Sequence, residues 1–261
     1  MMEFYKYQGA GNDFVMIDNR NGEVELGKNL NTKIINRICD RNFGVGADGL
    51  ILLQNDINSD FRMVYFNSDG NESTMCGNGG RCIVAFAKFL DVFEGNSCEF
   101  RAIDGMHKAK LYGDWVELQM IDVSKVEQID NDFFLDTGSP HYVSFRENVK
   151  DLDLVKEGRK IRDNDRFKSE GTNVNFVASQ HDILEVRTYE RGVENETLAC
   201  GTGVTAVALV ADLQSKNTKQ NASRIKAVGG ELEVSYEKNA NGEFTNIWLK
   251  GPAQQVFKGQ M

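Results

Sequence analysis

Apolar and polar residues alternate along 3-EFYKY-7, 13-DFVMID-18, 61-FRMVYF-66, 98-CEFRAI-103, 115-WVELQM-120, 173-NVNFVA-178, 183-ILEVRTY-189, 231-ELEVSY-236 and 244-FTNIWL-249. A period of two, rich in β-branched and aromatic residues, predicts strands with one buried face. Helical spacing is rarer: 30-LNTKIINRICD-40, 148-NVKDLDLVKEG-158, and the two Ala-containing apolar segments that follow Cys76 and Cys200. Many strands around few helices predict an α+β fold of mostly antiparallel sheet.

The pattern is written twice. When Cys76 is laid on Cys200, Tyr65 falls on Tyr189, Asn71 on Asn195, Glu72 on Glu196, Ser73 on Thr197, Gly77 on Gly201 and Gly79 on Gly203. Each copy runs alternating strand, polar loop, C-G-x-G turn, apolar helix. The period is far too long for a solenoid and predicts two pseudo-symmetric domains from a duplication, each a barrel-like sheet around a central helix. The expected division is 1–117 with 252–261, carrying Cys76, and 118–251, carrying Cys200; the repeat itself does not fix the return of the final stretch to the first domain.

Composition narrows the class. The chain of 261 residues is 41% hydrophobic, enough for a real core, with 25 glycines against 2 prolines. A formal charge of −9 argues against a broad nucleic-acid footprint, which needs a basic stripe. The N-terminal MMEFYKYQGAGNDF has neither the basic nor the apolar region of a signal peptide, and no run approaches the ~18 apolar residues of a membrane span. A cytoplasmic protein is expected. Five cysteines without C-x-x-C spacing fit neither a disulfide framework nor a zinc ribbon, so no metal is assigned.

A thiol at the start of a helix meets unpaired N–H groups and a partial positive charge, which lower its pKa below the ~8.5 of an unperturbed cysteine. The same N–H groups can hold a carboxylate. Two such turns supply an acid and a base for removing an α-proton from one face of an amino acid and returning one to the other. Three other readings compete: buried core thiols with turn glycines, a thiol-redox pair, and a binding module without turnover.

The motifs 8-QGAGNDF-14, 40-DRNFGVGADGL-50, 66-FNSDG-70, 75-MCGNGGRC-82, 138-GSPH-141, 171-GTNVNF-176, 189-YERGVENETLACGTG-203 and 251-GPA-253 keep the order of one family nearly end to end, and the chain resembles the diaminopimelate epimerases. That resemblance implies stereoinversion of LL-2,6-diaminopimelate to the meso isomer, without pyridoxal phosphate or any other cofactor, by a homodimer. It implies that Cys76 and Cys200 are the acid/base pair, tuned by His141 and Glu190. It further implies substrate contacts from Asn12, Asn67, Asn78, Asn173 and Glu190, a distal-carboxylate clamp at Arg191, and backbone N–H groups of Gly77, Asn78, Gly201 and Thr202 on the α-carboxylate. Two positions depart from the family: Gly49, where many relatives carry Gln, and Ser139, where many have Asn. A proline racemase-like enzyme is the nearest rival. Such relatives have His after the first C-G, where this chain has Asn78, and lack the Y-E-R-G phrase with Arg191.

Overall fold

The structure is a computed structural model that describes residues 2–261. Chain contacts divide it into two compact units, Met1–Leu118 with Gly251–Met261, and Gln119–Lys250. The first contains β1 (Glu3–Gly9), β2 (Asn12–Asp18), α1 (Thr32–Cys39), β3 (Gly49–Gln54), β4 (Phe61–Asn67), α2 (Gly77–Phe89), β5 (Ser97–Ala102), β6 (Gly105–Tyr112) and β7 (Trp115–Gln119). The second contains β8 (Val126–Ile129), β9 (Asp132–Asp136), β10 (Pro140–Phe145), α3 (Leu154–Arg162), β11 (Asn173–Gln180), β12 (Ile183–Glu190), β13 (Asn195–Thr197), α4 (Gly201–Leu213), β14 (Ala222–Ala227), β15 (Gly230–Lys238) and β16 (Phe244–Pro252). The last strand, β17 (Gln254–Gln260), pairs antiparallel with β1.

The two units use one pairing scheme. In the first, the order β17-β1-β2-β3-β4-β5-β6-β7 is joined antiparallel, antiparallel, parallel, antiparallel, parallel, antiparallel, antiparallel. The order β8-β9-β10-β11-β12-β14-β15-β16 repeats that series. Each parallel pair is bridged by a helix, because parallel neighbours need a long crossover. In the first unit α2 packs against β1, β2, β3, β4, β6 and β17, so the sheet curls around it; α4 does the same with β9, β10, β11, β14 and β15. A helix so enclosed needs apolar residues around most of its circumference, and α4 has them. Accordingly Val204, Ala206, Val207, Ala208, Leu209, Val210 and Ala211 are all solvent-inaccessible.

The structure corrects the repeat alignment by one residue. Tyr65 belongs to the core around α2, whereas Tyr189 packs against α3 with Leu154 and Phe176. A one-residue slip moves a strand residue to the opposite face. By its pairings Tyr189 corresponds to Phe66, since Phe66 bridges Glu72 as Tyr189 pairs with Glu196, and Glu190 corresponds to Asn67. The extra residue of the second copy therefore lies in the turn 191-RGVE-194, opposite 68-SDG-70.

One local expectation also changes, and one strand, β3, lies outside the alternating segments. The stretch 148–158 becomes helical only at Leu154, because Asn148 Oδ1 accepts the Lys150 N–H (2.8 Å) in a turn and Asp153 caps the helix through the Lys156 N–H (3.2 Å). β3, 49-GLILLQ-54, has no polar alternation because it is buried on both faces: Ile51 and Leu53 join the core around α2, Leu50 and Leu52 the core under α1.

Candidate active site

Cys76 and Cys200 are each the N-cap of the enclosed helix of their unit, in extended backbone (φ −88°, ψ 132° and φ −114°, ψ 113°). Their carbonyls accept the first helical bonds, from Gly80 N–H at 2.7 Å and Val204 N–H at 2.9 Å. The N–H groups of Gly77 and Asn78, and of Gly201 and Thr202, therefore lie in first turns, where helix geometry provides no internal acceptor. Both sulfurs belong to half-buried residues, whereas Cys39, Cys82 and Cys98 are buried. Burial pushes these three thiols up, Cys39 to about 11 and Cys82 and Cys98 to about 12, which keeps them protonated.

Beside Cys76 an amide chain runs inward. Arg81, fully buried, donates from Nη2 to Asn78 Oδ1 (2.7 Å), from Nη1 to Gly77 O (3.3 Å) and from Nε to Pro252 O (3.4 Å). Asn78 Nδ2 donates to Asn12 Oδ1 (2.5 Å), and Asn12 Nδ2 to Asp48 Oδ2 (2.8 Å). Asp48 is in turn held by Arg41 at 2.8 Å. Asn67 stands at the end of β4, paired with Gly49, and its backbone is bonded both ways in the 67–71 turn. The space beside Gly49 is filled: a β-carbon there would lie 2.6 Å from the Tyr65 ring and 2.5 Å from Phe66 O.

Beside Cys200 the neighbours differ. The Thr202 hydroxyl lies 3.4 Å from Cys200 Sγ and 2.8 Å from His141 Nε2. His141 is fully buried, and burial, with Arg191 nearby, depresses its pKa from 6.5 to about 3. Asn173 uses both amide hydrogens on Ser139 Oγ (2.8 Å) and Pro140 O (3.0 Å), and its Oδ1 accepts the Arg191 backbone N–H (2.9 Å). Arg191 is exposed, donates to Glu170 O (3.0 Å), and among the described residues forms no ion pair; Glu194 is held instead by Arg162 and Tyr189. Glu190, at the end of β12, is half-buried; desolvation raises its pKa and the neighbouring Thr197 hydroxyl acts the other way.

Thus hydrogen bonds join Asn12, Gly77 and Asn78 around Cys76, and Thr202 and His141 around Cys200, while Asn67, Asn173, Glu190 and Arg191 sit at strand ends and turns. Arg81 and Asn175 were not singled out from the sequence, although both stand inside quoted motifs. An Arg four residues after Gly77, just before the apolar run 82-CIVAFA-87, and a second Asn two residues after Asn173, were the available signals. Among the described residues no group of three or more His, Cys, Asp or Glu is placed to hold a metal, and no helix is long and apolar enough to cross a membrane.

The sequence profile of a family described as diaminopimelate epimerase matches residues 4–126 and again 133–256, once per half. A diaminopimelate epimerase of Flavobacterium psychrophilum is 52% identical over 259 residues, covering 98% of this chain and 99% of that protein. One of Aquifex aeolicus is 40% identical over 277 residues, covering 100% and 98%. Among solved structures, a Bacillus anthracis phenazine biosynthesis protein of the PhzF family aligns with a TM-score of 0.74 at 12% identity, covering 100% of this chain and 98% of that one. A hydroxyproline epimerase of Agrobacterium vitis aligns at 0.68 and 12%, covering 100% and 90%. At such identities the two structures establish the fold alone.

Proposed function

The chain belongs to the diaminopimelate epimerase family, and on that premise we propose that Cys76 and Cys200 exchange the α-proton of 2,6-diaminopimelate, converting the LL isomer to meso. One sulfur enters as thiolate and takes the proton; the other enters as thiol and gives its proton to the opposite face. A C–H and an S–H bond break and one of each forms, so the enzyme ends with the roles of its thiols exchanged. The observation that carries this reading is the duplication of one device: a half-exposed cysteine capping an enclosed helix, once in each copy of the same strand scheme.

The remaining roles follow from what each group has left to give. First-turn N–H groups of Gly77, Asn78, Gly201 and Thr202 take the α-carboxylate. Arg191 and the Ser139 hydroxyl, which already accepts from Asn173, donate to the distal carboxylate. Asn12, Asn67, Asn78, Asn173 and Glu190 orient the substrate's polar groups; Asn173, with both hydrogens used, acts through Oδ1. Glu190 and His141 tune the thiols. The same reading makes the protein a cytoplasmic homodimer that needs no cofactor and serves lysine and cell-wall precursor synthesis.

Incubation of the reduced protein with LL-diaminopimelate in deuterated water tests it. Formation of the meso isomer with deuterium at the inverted carbon is the expected result. Unchanged substrate, or inversion without deuterium, overturns the reading.

A further inference from the structure

We propose that Asn175 is a positioning residue for Cys200: it holds the His141 imidazole in the tautomer that carries its proton on Nε2, and so turns the Thr202 hydroxyl hydrogen toward the sulfur. This rests on the reading of Cys200 as a proton-exchanging thiol.

The assignment follows from donors and acceptors. Asn175 is fully buried on β11, paired with Thr188 of β12 and two residues beyond the partner of His141. One side of its amide lies 3.0 Å from Tyr142 O, a carbonyl that can only accept, so that side is the NH2 group. The other side accepts from the Thr188 hydroxyl at 2.9 Å. The second amide hydrogen then points at His141 Nδ1, 3.1 Å away, which must accept it. A neutral imidazole has one proton, and with Nδ1 accepting it sits on Nε2 and is donated to Thr202 Oγ1 at 2.8 Å. Thr202 Oγ1 has now accepted, and its own hydrogen is left for Cys200 Sγ at 3.4 Å. Each bond from Thr188 to Cys200 runs in one direction, toward sulfur. A hydrogen bond given to a thiolate favours the charged form.

The other copy of the fold shows that packing does not require this polarity. Phe14, Ile51 and Tyr65 occupy, by their pairings, the places of His141, Asn175 and Thr188. The glycines facing them correspond too. A β-carbon on Gly79 would meet Ile51 Cδ1 at 3.1 Å and Phe14 Cε1 at 3.5 Å; on Gly203 it would meet Asn175 Oδ1 at 2.6 Å and His141 Cε1 at 3.3 Å. Two hydrocarbon side chains and the Tyr65 ring fill the slot beside α2, whereas beside α4 the slot is filled by three buried polar groups, a costly choice unless each is satisfied. The polar trio ends on Thr202 and Cys200, and that is the difference it makes.

The test combines nitrogen NMR with thiol chemistry. In protein labelled with 15N-histidine, His141 should show a protonated Nε2 and an unprotonated Nδ1; a proton on Nδ1 overturns the proposal. In Asn175→Asp, whose carboxylate cannot donate, Nδ1 should become protonated; an unchanged tautomer also overturns it. On a Cys76→Ser background, Thr202→Val should slow alkylation of Cys200 by iodoacetamide at neutral pH about tenfold, the worth of one hydrogen bond to a charged sulfur, and Thr202→Ser should restore it. Equal rates for the Val and Ser variants refute the link from Thr202 to sulfur. The two-thiol reading fails separately: it falls if Cys200→Ala still epimerises, whatever tautomer His141 shows.

Discussion

Arg81 Nη2 donates to Asn78 Oδ1 at 2.7 Å, and this contact decides which end of the Asn78 amide faces Asn12. With its oxygen occupied, Asn78 must give Nδ2 to Asn12, and Asn12 must then give its own Nδ2 to Asp48. The donor pattern beside Cys76 is therefore imposed from a buried guanidinium. Arg81→Lys should break it, since a compact ammonium, although it has three donors, cannot reproduce the planar fork whose Nη2, Nη1 and Nε reach Asn78, Gly77 and Pro252 separately. We expect a loss of about 1–3 kcal/mol in urea unfolding, from carbonyls left without donors. A fall of about tenfold or more in kcat/KM on diaminopimelate should accompany it. Unaltered stability and kinetics would show that the orientation is set elsewhere.

Cys76→Ala and Cys200→Ala should each abolish epimerisation while leaving the fold intact. Both sulfurs belong to half-buried residues at helix starts, and the helices are held by the apolar residues behind them, so truncation opens little cavity. Circular dichroism and a thermal melt check the fold; meso product from either variant would refute the two-base exchange.

The duplicated strand–turn–helix pattern and the C-G-x-G caps were legible because hydrophobic period and turn glycines are local signals. What escaped was set by tertiary pairing. β3 carries no alternation because both its faces are buried, and Pro140 masked the start of β10. The self-alignment anchored on the cysteines placed Tyr65 on Tyr189, since identity of letters cannot reveal a one-residue difference in the turn that carries Arg191. Asn175 and Thr188 read as ordinary strand residues. Only the register that sets them beside His141 makes them a polar trio where the first half has Phe14, Ile51 and Tyr65.

Buried His141 links stability to pH. Its folded pKa of about 3 lies below its ordinary 6.5, so between those values the unfolded chain binds a proton that the native one refuses. Stability from this group is complete above pH about 6.5 and is lost progressively as pH falls toward 3. His141→Gln keeps an acceptor for Asn175 but does not titrate. Its unfolding free energy should fall less steeply in that window, by on the order of 1 kcal/mol per pH unit, and should match the wild-type slope above it. Parallel curves throughout would mean that His141 titrates normally.

Arg191→Lys should be far from conservative. The guanidinium is exposed, spends one donor on Glu170 O, and forms no ion pair among the described residues, so its remaining donors are available for a bidentate carboxylate contact. A lysine keeps the charge without the fork. We expect weaker substrate binding by about 1.5–3 kcal/mol, seen mainly in KM, with little change in Tm because the residue is exposed. Unchanged KM would remove Arg191 from the site.

Gly49 and Tyr65 should prove energetically coupled. Gly49 pairs with Asn67 and Tyr65 with Ile51, so the two are diagonal neighbours across β3 and β4, close enough that a β-carbon at 49 would stand 2.6 Å from the Tyr65 ring and 2.5 Å from Phe66 O. The ring is packed into the core around α2, and the carbonyl belongs to a strand held by its neighbours on both sides. Gly49→Ala should therefore destabilise by about 1–3 kcal/mol through overpacking. Tyr65→Ala should cost about 3 kcal/mol or more by opening a cavity. In the double variant the new methyl group enters that cavity, so the combined loss should fall short of the sum by at least about 1 kcal/mol, well beyond the few tenths expected of independent sites. Four urea unfolding curves measure the cycle. Strict additivity would mean that the backbone at Phe66 O, rather than the Tyr65 ring, is what excludes a side chain at position 49.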